Sequence, residues 1–266
     1  MTQNPIGIFD SGIGGMTVAK AIASSLPNEQ LIYFGDTAHF PYGDKSEAAI
    51  QAYSIKICNV LLSQNCKAIV IACNSASASA YELVKEYVGS KAIVINVIDP
   101  VVEYVTNTFK ASKVGIIGTK RTIQSNVYKT RIDAQSRQIE TVSLATPLLA
   151  PMVEEGFFNN KISTTIIENY LQEPSLQDMQ ALVLGCTHYP LIKNEISAYY
   201  QGLVEVIDSS VIVSNHLHQV LVEASLVADQ RDKSHTFYVS DYTNAYKQST
   251  AIFFGEEVNL ERYKLW

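Results

Sequence analysis

The sequence predicts an α/β protein built as two pseudo-symmetric α/β domains, with mainly parallel sheets and an active-site cleft between the domains. Short Val- and Ile-rich runs alternate with longer amphipathic stretches, the pattern of strands alternating with helices. The runs are apolar almost throughout rather than at every second residue, as in strands covered on both faces. The runs of the first half also rhyme with those of the second. IGIFDSG at residue 6 matches VGIIGTK at 114, AIVIACNS at 68 matches ALVLGCTH at 181, and VIDP at 97 matches VIDS at 206, with offsets of 108, 113 and 109.

In chain order, IGIF (6–9) reads as the first strand, followed by a glycine-rich turn and the helical stretch TVAKAIASSL. LIYFG (31–35) is the second strand, and EAAIQAYSIKICNVLLSQ suits an amphipathic helix. AIVIA (68–72) and AIVINVI (92–98) flank the helical ASASAYELVKEYV. The second series is VGIIG (114–118), QIETVSL (138–144), ALVLG (181–185) and VEVID (204–208). The tail, 211–266, offers one helix (VIVSNHLHQVLVEASLVA) and one strand (HTFYVS). So little structure in a segment that short cannot bury a core of its own, so the tail is expected to return to the first half. The expected domains are 1–97 plus 210–266, and 98–209.

A net charge of −6 and 17% charged residues speak against nucleic acid or an anionic membrane surface as a partner. No apolar run approaches the ~20 residues of a membrane span, and MTQNPIGIFDSG lacks the basic-then-apolar pattern of a secretory signal. Cys58, Cys66, Cys73 and Cys186 form neither a C-x-x-C pair nor a disulfide framework, which suits free thiols in a reducing cytoplasm.

Two of the four cysteines share one context. Cys73 and Cys186 each close an apolar strand and open a helix, with Asn74 and Ser75 as N-cap residues after the first and Pro190 early in the helix after the second. The carboxyl ends of parallel strands are where ligands bind. There a thiol meets the positive end of a helix, which lowers its pKa from about 8.5 toward about 3.5–7.5. Asp10 ends the first strand before Ser11–Gly12–Ile13–Gly14–Gly15, and His188 lies two residues past Cys186. A carboxylate near one thiol and an imidazole near the other make two proton-handling pairs. Placed across a cleft, they suit inversion at a carbon acid, which needs a base on one face and an acid on the other.

FDSGIGG (9–15), PYG (41–43), ACNSASA (72–78) and GCTHYPL (185–191), in this order and spacing, resemble the glutamate racemases of the cofactor-independent amino-acid racemase family. The resemblance runs from the N-terminus to about Asp208–Ser209, with a weaker echo at FFG (253–255). It implies interconversion of L- and D-glutamate without a cofactor, with D-glutamate going to peptidoglycan, and family members that often form homodimers. It implies that Cys73 and Cys186 are catalytic, with Asp10 as partner of Cys73 and His188 of Cys186. It implies substrate binding by Asp10, Ser11, Tyr42, Gly43, Asn74, Ser75, Thr187 and His188, with Thr119, Thr122 and Glu154 as further site positions. Ser75 stands where the family more often has threonine, His39–Phe40 replaces Arg–Val, and Arg121 replaces a small residue.

Aspartate is the alternative substrate within the family, since one methylene changes pocket depth rather than chemistry. A dinucleotide-binding oxidoreductase is the rival from another class: GIGG opens a helix, and Asp36 follows Gly14 by 22 residues. The third glycine of that fingerprint is missing, however, because position 17 is Thr. A cysteine hydrolase would use Cys186 and His188 but leave Cys73 and Asp10 without a task. His216 and His218 fall on different helix faces, so no metal site is expected, and no lysine has the setting of a pyridoxal-phosphate site.

Overall fold

In the computed structural model, which describes residues 2–136 and 138–265, every apolar run named above is a strand. They are β1 (Ile6–Asp10), β2 (Leu31–Gly35), β3 (Ala68–Ile71), β4 (Ile93–Asn96), β5 (Lys113–Gly118), β6 (Glu140–Ala145), β7 (Ala181–Gly185) and β8 (Glu205–Ile207), followed in the tail by β9 (Thr236–Val239) and β10 (Leu260–Arg262). Two sheets form, in the orders β10-β9-β2-β1-β3-β4 and β6-β5-β7-β8. Every pairing in both is parallel. β1, β2, β3 and β7 are buried along their whole length, which is why they read as continuous apolar runs.

The tail lays β9 beside β2, pairing Tyr33 with Phe237 and Gly35 with Val239. It supplies two strands rather than the one expected. β10 is a three-residue edge segment, Leu-Glu-Arg, with both charged residues exposed, so it carries no apolar signal. A buried ion pair fastens the same tail at the other end of the sheet. Lys67 Nζ lies 2.6 Å from Glu29 Oε2 and donates to the carbonyl of Leu226 at 2.7 Å, while Glu29 Oε1 accepts the Ala228 N–H at 2.9 Å. Removing one partner of such a pair typically costs about 3–5 kcal/mol, because the other charge is left buried alone.

On one face of the first sheet the helices Glu47–Ser63 and Asn74–Val88 pack against each other over Phe9, Phe34, Ile69 and Ile71. On the other face the helix Met16–Ser25 packs against Ser209–Glu223. That second apolar layer continues without a break into Val114, Ile116, Leu182 and Leu184 of the second sheet. The two halves therefore share core, and the carboxyl ends of both sheets meet. Among the described residues no helix is long and apolar enough to cross a membrane.

Candidate active site

Register decides what faces the junction. β1 pairs with β3 so that Phe9 lies beside Ile71, which sets Asp10 and Cys73 at adjacent strand ends. β5 pairs with β7 so that Gly118 lies beside Gly185, which sets Thr119 and Cys186 at the equivalent place in the second sheet. The repeat seen in the sequence thus becomes two strand ends with one thiol each. Both thiols line one cavity, shared with Ser11, Tyr42, Gly43, Asn74, Ser75, Thr119, Thr187 and His188.

Cys73 itself is the N-cap of the helix Asn74–Val88, where Asn74 and Ser75 were expected to cap. Its Sγ accepts the Ala76 N–H at 3.5 Å and lies 3.7 Å from the Ser11 hydroxyl oxygen. These contacts favour the thiolate, as the sequence reading anticipated. Burial and the charge of Asp10 outweigh them and push the thiol above its ordinary value, contrary to the lowering expected there. Asp10 makes no hydrogen bond to Cys73. Its Oδ2 accepts the N–H groups of Gly12 and Gly15, both at 3.1 Å, and its Oδ1 accepts the Thr187 hydroxyl from the other half at 3.4 Å. Burial raises the Asp10 pKa despite the nearby His188 and these two N–H donors. Because Asp10 occupies those N–H groups, the turn is closed to a pyrophosphate. Asp36 is equally committed, accepting from Tyr42 at 2.6 Å and Ser240 at 2.7 Å and pairing with His39 at 2.8 Å. The dinucleotide reading is thereby set aside.

On the second side, Cys186 Sγ lies 3.7 Å from Nδ1 of His188, and Nε2 of His188 pairs with the Glu154 carboxylate. Burial pulls the imidazole pKa down, but the Glu154 charge and the bonds to Cys186 and Glu154 overcome it and hold the value well above the usual one. The ring stands between Phe40, at 5.7 Å, and Phe253 of the tail, at 5.4 Å. Gly14 passes so close that a Cβ there would lie 2.4 Å from the imidazole.

Between the thiols is a rim of hydroxyl and amide groups. Ser75 and Thr119 share a hydrogen bond at 2.9 Å, and Thr119 and Thr122 share one at 3.1 Å. Asn74 Oδ1 accepts the Tyr128 hydroxyl at 2.7 Å, while its Nδ2 is buried without a partner. Thr17 donates to the Thr187 carbonyl at 3.0 Å, a further bond between the halves. Tyr42 lines the cavity, but its hydroxyl is turned to Asp36. Thr122 and Glu154 stand behind the lining, holding Ser75 and His188. Phe253 and Tyr128 escaped the sequence reading. The FFG echo was the one signal for Phe253, and Tyr128 had none.

The cavity holds only about 20 Å³, on the order of one water. A groove of about 750 Å³ lies at the amino ends of β3 and β4, lined by Cys66, Tyr81, Lys85 and Lys91 and away from both site thiols. Among the described residues no cluster of three potential metal ligands occurs.

The two α/β halves and the thiol-lined cavity at their junction define an α/β enzyme of the racemase class, and comparison with known proteins agrees. The family model for Asp/Glu/hydantoin racemases matches residues 15–217, and the chain belongs to that family. It is 41% identical over 238 residues to the glutamate racemase of a Sulfurihydrogenibium species, covering 88% of this chain and 90% of the relative. It is 36% identical over 258 residues to that of Chlorobaculum tepidum, covering 97% and 94%. The crystal structure of glutamate racemase from Francisella tularensis in complex with D-glutamate superposes with a TM-score of 0.93 at 39% identity, covering 100% of this chain and 99% of that one.

Proposed function

We propose that the protein interconverts L- and D-glutamate by moving the α-proton between two thiols, supplying D-glutamate for peptidoglycan. The observation that carries this reading is the placement of Cys73 and Cys186 at equivalent strand ends of two sheets, on one cavity. One thiolate takes the α-proton and becomes a thiol, while the other thiol gives its proton to the opposite face and becomes a thiolate. The product is the other enantiomer, and the pair is left poised for the reverse direction. Asp10 acts on Cys73 through charge, and Glu154 holds His188 against Cys186.

Asn74, with its unpartnered amide, and the Ser75–Thr119 hydroxyls suit the carboxylates, which no lysine or arginine lining the cavity meets. The substrate's ammonium adds positive charge to a site where burial raises the pKa of both Cys73 and Asp10. That charge favours their ionised forms, so binding itself prepares the base. A cavity of about 20 Å³ cannot admit glutamate as it stands. The cavity therefore opens and closes around the reaction.

Chiral chromatography of L- and D-glutamate incubated with the purified protein, without added cofactor, tests the reading. Each enantiomer should convert to a racemic mixture, with L- and D-aspartate turned over far more slowly. Turnover of aspartate but not glutamate would reassign the substrate.

A further inference from the structure

The short helix Lys120–Gln124 stands at the lip of the cavity. Thr119 caps it by accepting the Thr122 N–H at 3.3 Å, and Thr119 and Thr122 both reach Ser75. The two residues between these threonines reach the first half at other points. Arg121 Nε donates to the Ser79 hydroxyl at 3.0 Å, and its Nη2 donates to Glu47 Oε2 at 2.6 Å. Lys120 Nζ lies 3.6 Å from Asp44. Further along the same half, Arg131 pairs with Glu82 at 3.3 Å. Every cation in this set belongs to the second half, and Asp44, Glu47 and Glu82 all belong to the first.

The three contacts are not equal. Lys120 and Asp44 are both more than half exposed, and Glu82 is 77% exposed, so solvent and side-chain freedom leave those pairs little weight. The Arg121 side chain is 22% exposed and Glu47 59%, so what sets this contact apart is that the planar fork of Arg121 engages two acceptors at once, Glu47 and Ser79. The acceptors are themselves braced, because Gln51 Nε2 donates to Glu47 Oε1 at 3.4 Å and to the Ser79 carbonyl at 3.0 Å.

We propose that Arg121 is a positioning residue: it latches the threonine-bearing helix Lys120–Gln124 onto Glu47 and Ser79 and so sets how readily the cavity opens to take in glutamate and release its enantiomer. The inference rests on the racemase reading. Without the latch, Thr119 and Thr122 lose their fixed distance from Ser75, while the two thiols, carried on strand ends, keep theirs. The cost falls on substrate retention rather than on proton transfer.

Steady-state kinetics of R121A, R121K and E47Q, with amide hydrogen exchange over residues 119–124, tests this. R121A should raise KM for both enantiomers about three- to tenfold with kcat within about twofold of the parent, and R121K should fall between. The double variant E47Q/R121A should be no worse than R121A alone, because both remove one interaction. Added salt should raise the parent's KM and leave that of R121A nearly unchanged. Exchange over 119–124 should quicken in R121A without ligand. An unchanged KM and exchange rate in R121A, or losses that add in the double variant, would overturn the latch. If the parent converts neither enantiomer, the racemase reading fails, and the exchange experiment still decides whether Arg121 holds the helix.

Discussion

At Cys73 two effects oppose each other. The helix N-terminus and the Ser11 hydroxyl favour a thiolate, while burial and Asp10 favour the thiol, and the second pair prevails. The first pair was legible in the sequence, because strand end, cysteine and helix start are local. The second was not, since burial arises only when the other half closes over the strand end. His188 shows the same division. Its neighbour Cys186 is two residues away, but Glu154, which sets its charge, is reached through the fold. In E154Q the chief upward influence on His188 is gone and burial prevails, so the imidazole pKa should fall, as NMR titration would show. A group whose folded pKa lies above its unfolded value, about 6.5 for histidine, stabilises the fold fully below that value and loses the contribution as pH rises through the folded one. The melting temperature of E154Q should therefore trail the parent most near pH 6, with the gap narrowing as pH rises.

Strands were legible as elements because parallel strands buried on both faces must be apolar throughout, as β1, β3 and β7 are. β10 was not, because an exposed edge of three residues needs no such pattern. The turn Ser11–Gly15 falls between. Its glycines suggested a phosphate loop, but its N–H groups go to Asp10, and Gly14 is small because His188 of the other half lies against it. G14A should leave secondary structure intact and displace the imidazole, lowering kcat/KM by about 10²-fold, the scale expected for misplacing a catalytic group by about 1 Å. Activity near the parent's would show that the imidazole does not need that position.

For the whole molecule, three rhyming segments in register were enough to suggest two halves. What they could not convey is how far the halves interlock. Phe253 from the tail packs against His188 of the second half, and Thr17 bonds to Thr187. The first half also buries two thiols away from the site. Burial pushes Cys58 and Cys66 each up to about 12 from an ordinary 9.0. Both are un-ionised in the folded chain and free to ionise when it unfolds. The contribution of these two thiols should thus be constant below about pH 9 and fall above it, by up to about 1.4 kcal/mol per pH unit for each. Urea titrations at pH 8 and pH 10 should show this loss, and C58A/C66A should show less of it despite its lower stability at pH 8.

Two-thiol racemisation requires one proton to leave the α-carbon and another to arrive from the opposite side. Proton NMR of L-glutamate with the protein in D₂O follows that event, in the parent and in C73S and C186S. The parent should wash out the α-proton signal as optical activity decays to zero, and each variant should racemise about 10²- to 10⁴-fold more slowly, the weight of a single acid–base group. Racemisation that persists in either variant at the parent's rate would contradict the two-thiol mechanism.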